Sequence, residues 1–233
     1  MSRSTESSLP RRRQANGGYA RGEQTRMRLV QASLKVFGEQ GYAQASTRLI
    51  AAAADTNPPA LQYYFDGKEG LHLACGEFIV ERMSQDLREP IAIAKKAVKA
   101  GGITSAAAAL CELLDTMLRL SLESADAPIL YRFIGRAQTE KVGPAYPLVR
   151  EHILLPLFDV CSALVAVATT STRKNPDVSL LTMFLINQLT AFTIQRDDTL
   201  ASLGWKDLKG QRGRDVRRMV KRVVLGALGP LTD

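Results

Sequence analysis

The chain has little of what catalysis needs. Its 233 residues include two histidines and three cysteines. His72 and His152 stand far apart, and no HExxH, Gly-rich phosphate loop or nucleophile elbow occurs, so metalloprotease, P-loop and hydrolase chemistries drop out. Cys75, Cys111 and Cys161 lack the spacing of metal ligands. An odd number of free thiols suits a reducing cytoplasm. The thiols are expected to be buried as small apolar groups, and only a lowered pKa would make one an oxidant sensor. Strand-like alternation is missing, and Ala- and Leu-rich helical stretches dominate, so the fold class is all-α. No apolar region follows the arginines of the N-terminus, so a secretory leader is not expected. The longest apolar stretch, about 153–168, contains Pro156 and Asp159 and is short for a membrane span of about 20 residues. A cytoplasmic chain with no membrane segment, metal or cofactor is the expectation, and not an enzyme.

What is there is concentrated in residues 46–71, STRLIAAAADTNPPALQYYFDGKEGL. Ser46 or Thr47 can cap a helix by accepting a first-turn N–H. RLIAAAA propagates it, with Leu49, Ile50 and Ala53 or Ala54 as its apolar side. Asp55, Thr56 and Asn57 favour a turn, with Asp55 able to adopt the left-handed conformation. Pro58 and Pro59 cannot continue a helix but can begin one. The second helix, about 58–64, turns Leu61 and Phe65 inward at i, i+4. That leaves Ala60, Gln62, Tyr63 and Tyr64 on its other sides, with Tyr63 expected to be the more buried tyrosine. Such a helix builds core poorly and suits a phosphate backbone. Upstream, Met27, Val30, Leu34 and Phe37 mark a helix over about 25–39, stopped by Gly41, with Tyr42 packing back. A longer helix is expected from about 68 to 87.

The net charge of +8 is unevenly placed. Residues 1–22 carry five arginines and one acid, residues 206–222 carry eight cations and two acids, and residues 23–83 have a net charge of −1. Arg26, Arg28, Arg48 and Lys68 are the head's candidate cations. Arg11, Arg12 and Arg13 can supply the long-range attraction that basic arms give by displacing counterions. The basic segment near the C-terminus reads as the wet face of a last amphipathic helix, about 211–228, with Val216, Val220, Val223 and Val224 opposite.

Ser46, Ile50-Ala51, Ala54, Pro59-Ala60, Leu61, Tyr63-Tyr64-Phe65 and Lys68-Glu69-Gly70-Leu71 resemble the helix-turn-helix of the TetR/AcrR family of bacterial transcription regulators. Asp55-Thr56 replaces the family's Gly-Val, and Gln62 its first tyrosine. The run 62–69 is similar to the branch with a CerR-type C-terminal domain. So are Leu130-Tyr131-Arg132, His152 to Phe158, Leu185-Ile186-Asn187-Gln188, Phe192, Arg196 and Leu203-Gly204-Trp205. The resemblance implies a TetR-like fold in three parts. These are a basic disordered tail (1–22), a three-helix DNA-binding head (23–83) and a helical regulatory and dimerisation domain (84–233). Its DNA contacts would be Ser46, Thr47, Arg48, Pro58, Pro59, Ala60, Gln62, Tyr63, Tyr64 and Lys68. Arg48 and Gln62 would reach bases or phosphate, the prolines and Ala60 would make apolar contact, and the tyrosines and Lys68 would reach phosphates.

Beyond residue 90 the pattern is less specific. Pro90 and Gly101-Gly102 are expected to punctuate helices, with a helix over about 103–122 between them and the next break. Residues 127–147 read as broken by Pro and Gly, and long helices are expected at about 148–169 and 177–200. The last two are apolar on more than one face, which calls for cover on both sides, one of them by a second subunit. For a small-molecule effector the expected lining is Met117, Tyr131, Phe133, His152, Phe158, Asn187, Gln188, Phe192 and Arg196, an apolar wall with a few polar groups. The implied function is a ligand-responsive repressor that binds a double-stranded palindromic operator as a homodimer. The alternative is a helical binding protein or enzyme on the same fold without operator specificity.

Overall fold

A computed structural model describes residues 16–229. Among them there are helices and no strands: α1 (Asn16–Gln40), α2 (Thr47–Ala53), α3 (Pro58–Phe65), α4 (Lys68–Ala100), α5 (Ile103–Glu123), α6 (Ala127–Glu140), α7 (Ala145–Val149), a π turn (Arg150–Leu154), α8 (Leu155–Ala168), α9 (Pro176–Asn187), a 3₁₀ turn (Thr190–Phe192), α10 (Arg196–Leu203) and α11 (Gln211–Ala227). The N-terminal boundary differs from expectation, since residues 16–22 already belong to α1. The expected arginine arm, Arg11 to Arg13, lies outside the described residues.

Two apolar cores organise the chain. One gathers Leu29, Val30, Leu34 and Phe37 of α1 with Ile50, Leu61, Phe65, Leu71, Cys75 and Ile79 of the next three helices, and Phe133, Ile134 and Ala137 of α6 complete it. The other is built by α5, α8, α9 and α11 around Leu110, Leu114, Leu164, Val178 and Val220. Helix α4 runs through both and crosses residues 83 and 84 without a break. Helix α6 lies along α1 so closely that a Cβ at Gly38 would sit 3.2 Å from the Phe133 backbone. That contact explains why α1 is buried on more sides than its four-residue stripe suggests.

Three expectations about helix ends need correction. Pro90 does not stop α4, which continues to Ala100. Leu87 and Ala94 are buried on either side of the proline, and that packing outweighs the lost N–H, whose cost is of the order of 3 kcal/mol in an unsupported helix. Pro128 begins α6 rather than breaking the stretch, because it falls in the first turn, where no N–H is needed. The helix expected over 177–200 is broken: α9 ends at Asn187 and α10 leaves at 75° to it. There Gln188 donates to Leu185 O, Thr190 to Asn187 O and Thr193 to Leu189 O, so side chains bond carbonyls that a continuous helix would use. Asp197 and Asp198 then favour the start of α10.

The continuous helical run Ala145–Ala168 is long and apolar enough to cross a membrane, yet more than half of its most apolar part is buried inside the protein. It serves as a core helix, with Cys161, Leu164 and Val165 fully enclosed.

Candidate nucleic-acid interface

Helices α2 and α3 are short, and their ends are secured locally. Ser46 is extended and its Oγ accepts the Leu49 N–H at 3.1 Å. Asn57, also extended, accepts the Ala60 N–H at 3.1 Å, and Pro58 and Pro59 fill the first turn of α3. Between the helices Asp55 adopts φ 49°, the left-handed turn that the sequence suggested it could supply in place of glycine. Ile50, Ala51 and Ala54 anchor α2, while Leu49 is 37% exposed, contrary to its expected place on the apolar side. It precedes the inward position by one residue, a rotation of about 100° on a helix.

Leu61 and Phe65 hold α3 against the head's core, as expected. Pro58, Pro59, Gln62 and Tyr63 are exposed; Ala60 and Tyr64 are half-buried. The order of the tyrosines is therefore reversed from expectation. Tyr63 is 83% exposed. Tyr64, three residues after Leu61, falls on the inward flank, where its hydroxyl lies 3.7 Å from the place a Cβ on Gly22 would take. The two rings meet edge to face at 5.0 Å, so the half-buried tyrosine braces the exposed one.

Polar side chains on this face are already oriented. Gln62 Nε2 donates to Asp66 Oδ1 at 2.6 Å, and Asp66 closes α3 with φ 55°. Lys68 opens α4 but folds back: its Nζ donates to Ala43 O at 3.2 Å and stands 4.6 Å over the Tyr42 ring. No side chain caps α4 at Gly67, so its first-turn N–H groups have no side-chain acceptor beside that ammonium. Thr47 is half-buried and Arg48 exposed on the first turn of α2. Arg26 lies over the Phe65 ring at 5.2 Å and 4.0 Å from Glu23, and Arg28 is exposed.

Sequence reasoning missed how firmly the body grips this head. Glu140, at the end of α6, accepts the Tyr42 N–H at 2.8 Å, and Arg136 donates to Glu39 O at 2.9 Å. His72 is buried, with its Nδ1 accepting the Ala145 N–H at 3.3 Å and its ring edge-on to Phe37 at 4.9 Å. Burial, and then the nearby Lys68 charge, lower its pKa to about 4, so it is neutral. These partners are separated by roughly seventy to a hundred positions, and nothing in local spacing signals them.

The expected effector-lining residues divide. A cavity of about 410 Å³ between α4, α5, α6, α8 and α9 is lined by Met117, Tyr131, Phe158 and Asn187 among others. Phe133 is not at its wall; at 1% exposure it is core against Phe37, because the inward side of α6 faces α1 there. His152 is exposed and its Nδ1 lies 3.0 Å from Leu148 O. Gln188 is spent on the α9 break, Phe192 packs on the second core, and Arg196 starts α10. The break at 188–195 reaches the wall through Leu189, Thr190, Thr193 and Ile194 and leaves these three off it. All three cysteines are buried, and burial raises each thiol, Cys161 to about 12, which keeps them unreactive.

Two capped helices joined by a left-handed turn, the second presenting prolines, an amide and a phenol outward, define a helix-turn-helix DNA-binding protein. The description of bacterial regulatory proteins of the tetR family matches residues 29–75. The HTH-type transcriptional dual regulator CecR of Shigella flexneri is 33% identical over 189 residues, which is 79% of this chain and 82% of that protein. Solved structures share the fold. A tetR-family regulatory protein from Rhodococcus RHA1 is 17% identical with a TM-score of 0.60, over 90% of this chain and 99% of that one. The fatty acid degradation regulator FadR from Bacillus halodurans is 19% identical with a TM-score of 0.56, over 89% and 96%. The chain belongs to the TetR family of transcriptional regulators, and it is a DNA-binding regulator.

Proposed function

We propose that the chain is a ligand-responsive repressor that binds a palindromic operator as a homodimer in the cytoplasm, without enzymatic activity. The observation that carries this reading is the outer face of α2 and α3, where Arg48, Pro58, Pro59, Gln62 and Tyr63 stand exposed on helices whose inner faces are fully packed. Arg48 and Gln62 contact base edges or the adjacent phosphate. Ser46, Thr47, Tyr63, Tyr64, Lys68 and the free N–H groups of α4 take phosphates, and Pro58, Pro59 and Ala60 make apolar contact with sugar or thymine methyls. Exposed Leu155, Leu180, Met183 and Phe184 on α8 and α9 support a dimer in which these helices pair with their copies. Two heads then address half-sites about 34 Å apart. Residues from about 23 to 83 carry the DNA-binding role and those from 84 onward the regulatory one.

A gel-shift with the DNA upstream of the protein's own gene tests the reading. A salt-sensitive complex of two protomers per site is expected. A folded dimer that fails to bind at low salt would overturn it in favour of a binding protein that kept the fold alone.

A further inference from the structure

The cavity carries more than a location. Its lining includes Met83, Met117, Ile134, Leu157, Phe158 and Ile186, and no acidic residue. The single charged residue in that lining is Arg150. Arg150 is exposed and, among the described residues, enters no ion pair, whereas Arg132, Arg136, Arg173, Arg217 and Arg218 each do. A narrower void of about 40 Å³ shares Met83, Met117, Tyr131 and Ile134 with the cavity; its one acid, Asp86, is neutralised by Arg82 at 3.1 Å.

The backbone at Arg150 is also unusual. Residues Arg150–Leu154 form a π turn, with the Leu155 N–H bonded to Arg150 O, and Pro156 follows at once. Proline has no N–H for the carbonyl four residues before it and its ring crowds that turn, so the helix widens there rather than continuing as regular α. Such bulges frequently occur at functional sites. Arg150 and Leu154, the two ends of this widened turn, both line the cavity. Elsewhere in the lining Ser121 and Tyr131 are satisfied by each other at 2.8 Å and by Met117 O, which leaves Arg150 as the group there that carries a charge for a ligand to answer.

We infer that this cavity takes an amphipathic organic anion, its carboxylate paired with Arg150 and its apolar body laid along Met117, Tyr131, Ile134 and Phe158. This deepens the ligand-responsive reading and rests on it. A guanidinium forms two parallel bonds to a carboxylate, and bonds between ionised partners are stronger than neutral ones. The volume of about 410 Å³ falls in the range of small-molecule sites, about 300–1,000 Å³.

The test uses the full chain and a fluorescent anionic probe, 8-anilinonaphthalene-1-sulfonate, displaced by either dodecanoate or dodecanol. Dodecanoate is expected to displace the probe at about tenfold lower concentration than dodecanol, the size of one charge-assisted contact. Arg150→Gln should abolish that preference while leaving dodecanol unchanged, and Arg150→Lys should keep part of it. Met117→Trp fills the cavity and should remove binding of probe and acid together. Equal displacement by acid and alcohol overturns the inference, as does a preference indifferent to Arg150→Gln or binding that survives Met117→Trp. Operator binding, measured separately on the same preparations, tells the two readings apart. DNA binding without an anion preference refutes the ligand class alone, and an anion preference without DNA binding refutes the regulator.

Discussion

Replacing Tyr63 with alanine separates the DNA face of α3 from its packing face. Tyr63 is 83% exposed and touches chiefly the edge of Tyr64, so its loss should alter folding by no more than about 0.5 kcal/mol, as exposed substitutions do. A phenol that donates to a phosphate makes a hydrogen bond to a charged group, whose net value is about 1.5 kcal/mol at the low end. Two half-sites double that to about 3 kcal/mol, or roughly a hundredfold in affinity for the dimer. The loss should fall alike on all sequences, because phosphates carry no sequence information. Tyr63→Phe removes the hydroxyl but keeps the ring and should account for most of the effect. Fluorescence anisotropy with the operator and with a scrambled duplex measures both variants, and thermal melting supplies the folding control. An unchanged affinity, or a loss matched by a fall in melting temperature, would refute the placement of this residue on the DNA.

Gln62→Ala should change which base is preferred at one operator position rather than weaken every sequence, as binding to a set of single-base operator variants would reveal. Lys68→Ala should reduce the salt dependence of binding by about one phosphate contact per protomer, read from affinity at several salt concentrations. Glu140→Ala leaves the Tyr42 N–H without its 2.8 Å acceptor, so melting should report a loss of about 1–3 kcal/mol. His72 has a folded pKa of about 4 against an ordinary 6.5. A depressed histidine makes its full contribution above 6.5, and that contribution is lost as pH falls from 6.5 towards 4, where the unfolded chain binds the extra proton. Melting over that range should show a destabilisation of at most about 3 kcal/mol, absent in His72→Asn; an identical pH profile in the variant would refute it.

The head was legible because its signals are local. Asn57 before two prolines, Ser46 before Arg48 and the pair Leu61 and Phe65 are statements about neighbours four or fewer residues apart, and all reappear in the geometry. The tyrosine order was misread for a physical reason: Leu61 fixes the inward direction, and only position 64, not 63, lies three residues from it. The body was less legible because its decisive events are contests between local and distant forces. Pro90 loses to the packing of Leu87 and Ala94, whereas Thr190 and Thr193 win against continuation of α9. Phe133 looked like a pocket wall because aromatic composition does not record which side of α6 faces α1.

The sharing of one core between the head and α6 has a consequence for protein engineering. A fragment ending at residue 83 would leave Phe37, Leu34 and Val30 without Phe133, Ile134 and Ala137, and would expose a wet seam where α6 had lain. Operator preference should therefore not transfer by splicing a foreign head onto this body in the middle of α4. A working chimaera would have to carry the α6 surface with its α1, or exchange only the outward residues of α3, so that recognition can be retuned without reopening the seam.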